Sequence, residues 1–336
     1  MPQLQVIAGL DPKHYARHAL HDESRVWVEK NCYIDIWIEL LHALRLDPTA
    51  MLAFTVAIDF EGDQWTFFKP SHTQIWDLYG LDVQELNVWR PLVEHAVEHL
   101  GAGKLISTEA DAWWLPDTAG TDYRSAHTKT TIVLNDIDVD ARRLGYFHNA
   151  GYYQLEGEDF TQLFRLGTPA NAEFMPLFAE LVRIDRLRRD TPTELQQRAM
   201  RLLTAAVRRM PADNPVARFA QRFQQQFAQL RSGGLPHYHA WAFAATRQLG
   251  AAFELAACHL QWLSALPTAP AAEAVAACAQ IATLAKTLIL KGARSVNSGK
   301  AASCDALFHE LASAWVRAAA ALRRQREFTR PARLLW

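Results

Sequence analysis

NCYIDIWIELLHALRLDP, residues 31–48, carries apolar side chains on most sides of a helix, as a segment buried in a core requires. Asp47-Pro48 stops it, because proline disfavours the helical conformation of the residue before it. Cys32 stands at the start of that helix. There, unpaired backbone N–H groups and the macrodipole stabilise a thiolate, and the same groups suit an oxyanion. Read alone, the segment fits a nucleophile and a small buried hydrophobe equally well.

Downstream, the chain alternates short strand-like runs with helices. Ala53 to Phe60 places Phe54, Val56, Ile58 and Phe60 on one face, and Glu61-Gly62-Asp63 turns it into Trp65 to Phe68, a predicted hairpin. Asn87 to Leu100 reads as a helix ended by Gly101, and Lys104 to Glu109 as a strand. Thr128 to Ile137 and Leu144 to Asn149 read as paired strands, followed by Tyr152 to Leu155 and a short helix from Glu158 to Phe164. His127 immediately precedes the first of these strands, a rigid edge on which to hold a base. A third group must orient the imidazole, and Asp136, Asp138, His148 and Asn149 are candidates. If the chain turns at about Asp138 to Ala141, Asn149 returns opposite residues near 129. Asp138 then lies about 10 residues from His127, roughly 30 Å away at 3.3 Å per residue. Distance favours Asn149.

A cysteine at a helix start, a histidine leading a strand and an asparagine ending the next resemble papain-fold enzymes. Residues 31–164 more closely resemble carrier-protein-dependent acyltransferases of the butirosin-pathway type, relatives of bacteriocin-processing cysteine peptidases. Asp111-Ala-Trp-Trp-Leu-Pro116 is similar to their Asp-x-aromatic-aromatic-Leu-Pro motif. Gly145-Tyr-Phe-His-Asn149, Tyr153-Gln-Leu and Glu158-Asp-Phe are similar to their closing segment. The full chain also resembles a bacterial family often encoded near ligases that load amino acids onto carrier proteins. The resemblance implies an acyl, chiefly aminoacyl, donor held as a phosphopantetheine thioester on an acidic carrier protein, with no bound cofactor. The acceptor is then a small molecule or a peptide bearing an amine or hydroxyl. Papain-like proteases carry a glutamine six residues before the cysteine as an oxyanion donor; here that position is Val26, leaving Asn31 or the backbone to serve. This departure counts against proteolysis more than against transfer from a thioester.

Near residue 165 the texture changes. Ala-, Leu-, Gln- and Arg-rich segments at roughly 171–189, 192–210, 213–231, 236–266, 270–291 and 303–326 read as a helical bundle. Charge divides at the same place: residues 1–165 hold 13 Lys/Arg against 25 Asp/Glu, net −12, and residues 166–336 hold 22 against 11, net +11. Such a split suggests an acidic partner for the second half. Lys286, Lys291, Arg294 and Lys300, with Ser295-Val-Asn-Ser-Gly between them, read as a basic, turn-like patch that grips a phosphate or simply faces water. Aromatic interleaving there is sparse, which argues against nucleic acid.

Four cysteines, at 32, 258, 278 and 304, lie far apart, so neither a disulfide framework nor a zinc ribbon is expected. No run reaches the roughly 18 uninterrupted apolar residues of a membrane span. With no signal-peptide pattern at the start, a cytoplasmic location is expected. His14, His18 and His21 share one helical face, but no further ligand completes a metal site at recognisable spacing; a solvated N-terminal helix is the expectation.

The expected architecture is α+β: a papain-like catalytic domain over residues 1–165, then an all-α basic domain over 166–336. Cys32, His127 and Asn149 are the expected catalytic residues. Asp111 is expected to pair with the amino group of an aminoacyl donor, one of Trp113 and Trp114 to line the substrate cleft, and Asn31 to assist the oxyanion. A cysteine peptidase or amidohydrolase, and a non-catalytic adaptor for an acidic partner, are the alternatives.

Overall fold

The computed structural model describes residues 4–167, 177–299 and 303–328, with side chains to residue 324. Along the chain the elements are β1 (Leu4–Gln5), α1 (Cys32–Ala43), β2 (Phe60–Glu61), β3 (Gln64–Trp65), α2 (His72–Tyr79), β4 (Asp82–Glu85) and α3 (Leu92–Gly101). They continue with β5 (Leu105–Asp111), β6 (Lys129–Asp138), β7 (Arg143–His148), β8 (Gly151–Glu156), α4 (Glu158–Leu163) and β9 (Ala179–Arg183). Helices α5 (Pro192–Arg208), α6 (Pro215–Ser232), α7 (Gly234–Ala244), α8 (Thr246–Trp262), α9 (Ala272–Ser298) and α10 (Asp305–Phe328) complete the series. The class is α+β, with a sheet-containing N-terminal region and a helical C-terminal region.

Two compact units share the chain. The first comprises Met1–Asp22, Asn31–Pro48 and Ser71–Arg189; the second comprises Glu23–Lys30, Thr49–Pro70 and Asp190–Trp336. The sheet-containing unit therefore runs past residue 165 to Arg189, and two short stretches of the N-terminal half belong to the helical unit.

In the first unit an antiparallel sheet has the order β4-β9-β5-β6-β7-β8, with β1 added beside β6. Apolar residues of one face, Ile106, Ala110, Ile132, Leu134, Leu144 and Tyr146, form a core with α3 and α4. The opposite face carries α1, which packs on β6, β7 and β8. Hydrogen bonds orient that helix. Tyr33, in its first turn, reaches Glu180 of β9 at 3.3 Å. Glu39, near its end, accepts from Tyr15 at 2.8 Å, and the Tyr15 ring lies against Phe147 and Tyr152 of β7 and β8. The helix thus crosses the strands, its start toward β9 and its end toward β8.

The expected helix over 171–189 is corrected where it is described: Ala179–Arg183 is a strand paired to β4 on one side and β5 on the other. Its apolar spacing fits either period, and pairing on both edges selects the strand. Residues 171–176 lie outside the described residues. The expected solvated N-terminal helix is corrected too. His21 is fully buried, its ring between Asp35, 3.0 Å away, and Glu39 of α1. Two carboxylates inside a core are tolerable only when such donors satisfy them.

In the helical unit α9 packs between α8 and α10. The N–H groups of Val26 and Trp27 donate to the Glu254 carboxylate at 2.8 and 3.0 Å, and the Trp27 indole donates to the Ala282 carbonyl at 3.2 Å. Phe60 and Trp65, the ends of the β2–β3 hairpin, pack on the Phe219 ring at 5.3 and 5.7 Å. The turn at Gly62 falls where expected, with φ +62. The strand expected over 53–60 does not form: Pro48–Ala57 is a 3-10 helix and only Phe60–Glu61 pairs. Residues 48–56 are all buried, so the alternation marked no solvent face. The helix expected over 236–266 breaks at Ala245 into α7 and α8. By length and composition α9 also meets the measure of a membrane span, with 39% of its apolar window buried; in this structure its buried face packs on neighbouring helices.

Candidate functional site

Cys32 is the first residue of α1, and Asn31 is its N-cap. The cap uses up most of the first turn: Asn31 Oδ1 accepts from the N–H groups of Tyr33 and Ile34 at 3.1 and 2.9 Å, and its carbonyl accepts from Asp35 at 3.1 Å. The Cys32 N–H is the first-turn donor the cap leaves over. Asn31 therefore acts through its oxygen on the helix, and the Cys32 N–H is the backbone donor beside the thiol. The Cys32 thiol is partly exposed and has no hydrogen-bond partner among the described residues.

The second group lies where β5 ends and β6 begins. Asp111 closes β5 opposite Lys129 of β6, and the chain then makes a 3-10 turn, Ala112–Trp114. One Asp111 oxygen, Oδ1, accepts from the Trp113 N–H at 3.1 Å and fixes that turn. The other, Oδ2, lies 2.7 Å from Nδ1 of His127. The His127 ring stacks on the Trp113 indole, centroids 4.5 Å apart and planes 11° from parallel, while its side chain stays 68% exposed. A carboxylate on Nδ1 leaves Nε2 as the nitrogen that faces outward, the arrangement of an oriented base.

Sheet register places this group relative to α1. Glu180, which bonds Tyr33 of α1, stands opposite Ser107 of β5. Ser107, Glu109 and Asp111 share that face by strand alternation. Asp111 and its imidazole thus lie on the α1 side of the sheet, about 13 Å along β5 from the row under the helix start, at 3.3 Å per residue. His127 makes no hydrogen bond to Cys32 among the described residues.

Three expected roles change. Asn149, expected behind His127, sits in the tight turn between β7 and β8 with φ +42. Residues 139–142 make the turn, so β6–β7 pairing starts at Asp138 and Arg143, and the register shifts by one residue between Leu134 and Asp136. The backbone there is held by Asn135, whose carbonyl accepts from Val6 and whose side chain bonds the Ile7 N–H at 2.7 Å. The late turn outweighs the one residue that the bulge gives back, so Asn149 falls level with residues near 131, short of His127. Asp111, expected to bind a substrate amine, has both oxygens engaged and is the group that orients His127. The two tryptophans lie in the 3-10 turn; Trp113 backs the histidine, and Trp114 stacks under the Arg124 guanidinium at 4.3 Å. Asp117, named for no role in the sequence, proves central to a buried network on the other face. Its carboxylate bonds Tyr146 and lies 2.6 Å from His148 Nδ1, while His148 Nε2 meets Thr130 at 2.8 Å. No spacing signal marks that network.

The basic patch is helical. Lys286, Lys291 and Arg294 all belong to α9, which continues to Ser298 and is capped by Gly299 at φ +70. Lys286 lies over the Trp27 ring at 4.9 Å, Lys291 is half-buried, and Arg294 is exposed. Lys300 lies outside the described residues. Desolvation raises the thiols of Cys258 and Cys304 and pushes Cys278 up to about 12, as packing cysteines require. Among the described residues no group of three or more His, Cys, Asp or Glu could hold a metal.

Comparison with known sequences matches the two regions separately. Residues 16–184 match the DUF1839 N-terminal domain and residues 192–324 the DUF1839 C-terminal domain. No curated protein matches the chain. With both domains present in order and the N-terminal match alone spanning half its length, the chain belongs to the DUF1839 family.

Proposed function

We propose that this protein is a cysteine-dependent acyltransferase with a papain-like arrangement, in which Cys32 is the nucleophile and His127, oriented by Asp111, is the base. The Asp111–His127–Trp113 cluster is the observation that carries the reading, because an exposed imidazole fixed by a carboxylate and an indole is built to move a proton. The Cys32 thiolate attacks the carbonyl carbon of a thioester, the carbon–sulfur bond to the pantetheine breaks, and the leaving thiolate takes the proton from the imidazolium. An amine or hydroxyl acceptor then gives its proton to His127 and the acyl group leaves Cys32. Catalytic hydrogen bonds are commonly completed only in the substrate complex, so this mechanism needs the thiol and imidazole to close the gap when the donor binds. The donor, in this reading, is an aminoacyl or acyl group on the phosphopantetheine arm of an acidic carrier protein. The net +11 of residues 166–336 favours such a partner.

Intact-mass measurement after mixing the protein with a panel of acyl- and aminoacyl-pantetheine thioesters tests this. A mass increase of one acyl group, absent in Cys32→Ala, is expected. Acylation that persists in Cys32→Ala, or none from any donor, would sink the proposal. Release of free acid without an added acceptor would instead mark a hydrolase. The lone, unpartnered Cys32 thiol favours the second reading, a binding protein without chemistry, and that reading expects no adduct. For the carrier, transfer from the whole protein should slow as salt rises and screens charge beyond a Debye length of about 8 Å, while transfer from a bare pantetheine thioester should change little.

A further inference from the structure

On the same unit, away from the Asp111–His127 cluster, α2, β4 and the segment after β9 enclose a cleft of about 330 Å³, within the size range of small-molecule sites. His72, Thr73 and Trp76 line it from the helix, Asp82 and Gln84 from the strand, and Arg186 from the segment after β9.

Each wall is pinned. The side chain of Ser71 caps α2 in a reciprocal box with Gln74. At the other end Gly80 takes φ +70, and a Cβ there would fall 2.2 Å from the Arg186 carbonyl. Only glycine lets the Arg186 backbone lie so close. The next turn is tied down by the Arg188 N–H, which donates to the Tyr79 carbonyl at 2.7 Å, and by its guanidinium, which donates to the Trp76 carbonyl at 3.1 Å. The cleft is thus shaped before any ligand arrives.

The polar groups divide into spent and unspent. Asp82 is occupied by Arg183 at 3.0 Å and by the Gln84 amide at 2.8 Å. Glu180, almost fully buried, is satisfied by His72 Nε2 at 3.0 Å and by the Tyr33 hydroxyl at 3.3 Å. A buried carboxylate needs donors, so His72 keeps its hydrogen on Nε2. Nδ1 is then the nitrogen left for the cleft, with no partner among the described residues. The Arg186 guanidinium is exposed and likewise has none. Trp76 offers an exposed aromatic ring beside them.

We propose that this cleft binds a small aromatic or flat apolar molecule bearing a carboxylate and a hydroxyl. The carboxylate pairs with Arg186, whose planar fork matches it; the flat part lies on Trp76; and the hydroxyl donates to Nδ1 of His72. The site does not depend on the thiol chemistry above.

Calorimetric titration of the full chain with 4-hydroxyphenylacetate tests it, with phenylacetate and tyramine as probes lacking one group each. Saturable, millimolar binding is expected, weaker for phenylacetate and lost for tyramine. Arg186→Gln should weaken 4-hydroxyphenylacetate by about tenfold, as loss of a charge-assisted pair implies, and leave the Cys32 alkylation rate unchanged. Trp76→Leu should weaken both acids together. His72→Gln should erase the preference for the hydroxylated acid; if that variant fails to fold, the phenylacetate comparison in the unaltered protein makes the same test. Equal binding of tyramine and the acids, an unaffected Arg186→Gln variant, or no saturation into the tens of millimolar would overturn the proposal.

Discussion

Asp111 shows how one side chain can fix a turn and orient a neighbouring ring. Its two oxygens serve the Trp113 turn and the His127 ring at once. Asp111→Asn keeps the size and one acceptor but loses the charge that orients the imidazole. Acylation of Cys32 should therefore slow by about 10²-fold or more, the usual worth of a positioned base, with the melting temperature nearly unchanged; an unaltered single-turnover rate would make Asp111 purely structural. Rapid labelling by iodoacetamide at neutral pH should find Cys32 ahead of Cys258, Cys278 and Cys304, since burial disfavours the thiolate at those three. Peptide mapping of the alkylated protein reads this directly. A third residue, His18, bears on pH. Burial, reinforced by the neighbouring His42, lowers its value to about 4, and its Nδ1 accepts the Leu20 N–H at 3.1 Å. Between about 4 and the ordinary 6.5 the unfolded chain binds a proton that the folded chain refuses. His18 therefore contributes stability that is present above 6.5 and is lost as pH falls toward 4. His18→Asn retains an acceptor without titrating, so its melting temperature should fall less steeply than that of the unaltered protein over this window.

At the scale of an element, α9 is read correctly as a helix and incorrectly as ending before a turn. Gly292 and the Ser295–Gly299 run look like breakers, yet the glycine is there because Tyr238 packs where a side chain would stand; a Cβ would lie 2.0 Å from its hydroxyl oxygen. Alanine normally favours a helix interior over glycine by about 1 kcal/mol. Here overpacking should win, and Gly292→Ala should destabilise the protein by about 1–3 kcal/mol in denaturant unfolding. The loss should shrink in a Tyr238→Leu background, a coupling that a double-mutant cycle measures. The β6–β7 hairpin carries the same lesson in a strand. Its two runs are legible from alternation, but the turn residues 139–142 and the single extra residue at Asn135 are not, and together they set the register at which Asn149 fell.

For the whole molecule, chain order and compact units do not coincide. Residues 23–30 and 49–70 complete the helical unit, through Trp27 on Ala282, the Thr49 carbonyl on His259 at 2.8 Å, and Phe60 and Trp65 on Phe219. A fragment of residues 190–336 lacks all of these partners and leaves the Phe219 ring to Trp241 and Phe308, uncovered where Phe60 and Trp65 would pack. It should show helical far-UV circular dichroism without a cooperative melt, and bind a hydrophobic dye. A cooperative transition matching that of the full chain would show that the two segments are dispensable.

Local patterns determined much of this protein without help. Helix periods, the Asn31 cap, the Thr191–Glu194 capping box and the turn at Gly62 act over a few residues, so the sequence alone specified α1, α5, α6 and the strands β5 to β8. It also brought His127 to notice, because it leads a strand, and Asp111 and Trp113 through a resemblance of motif. What it left open was every choice that depends on a partner far along the chain. Whether residues 179–183 form a helix or a strand, whether Asp111 or Asn149 stands behind His127, and whether residues 23–30 join the sheet or the helices were decided by tertiary pairing. A strand completes its hydrogen bonds only through its neighbours, and a bulge or buried carboxylate is tolerated only where a distant residue supplies the missing bond.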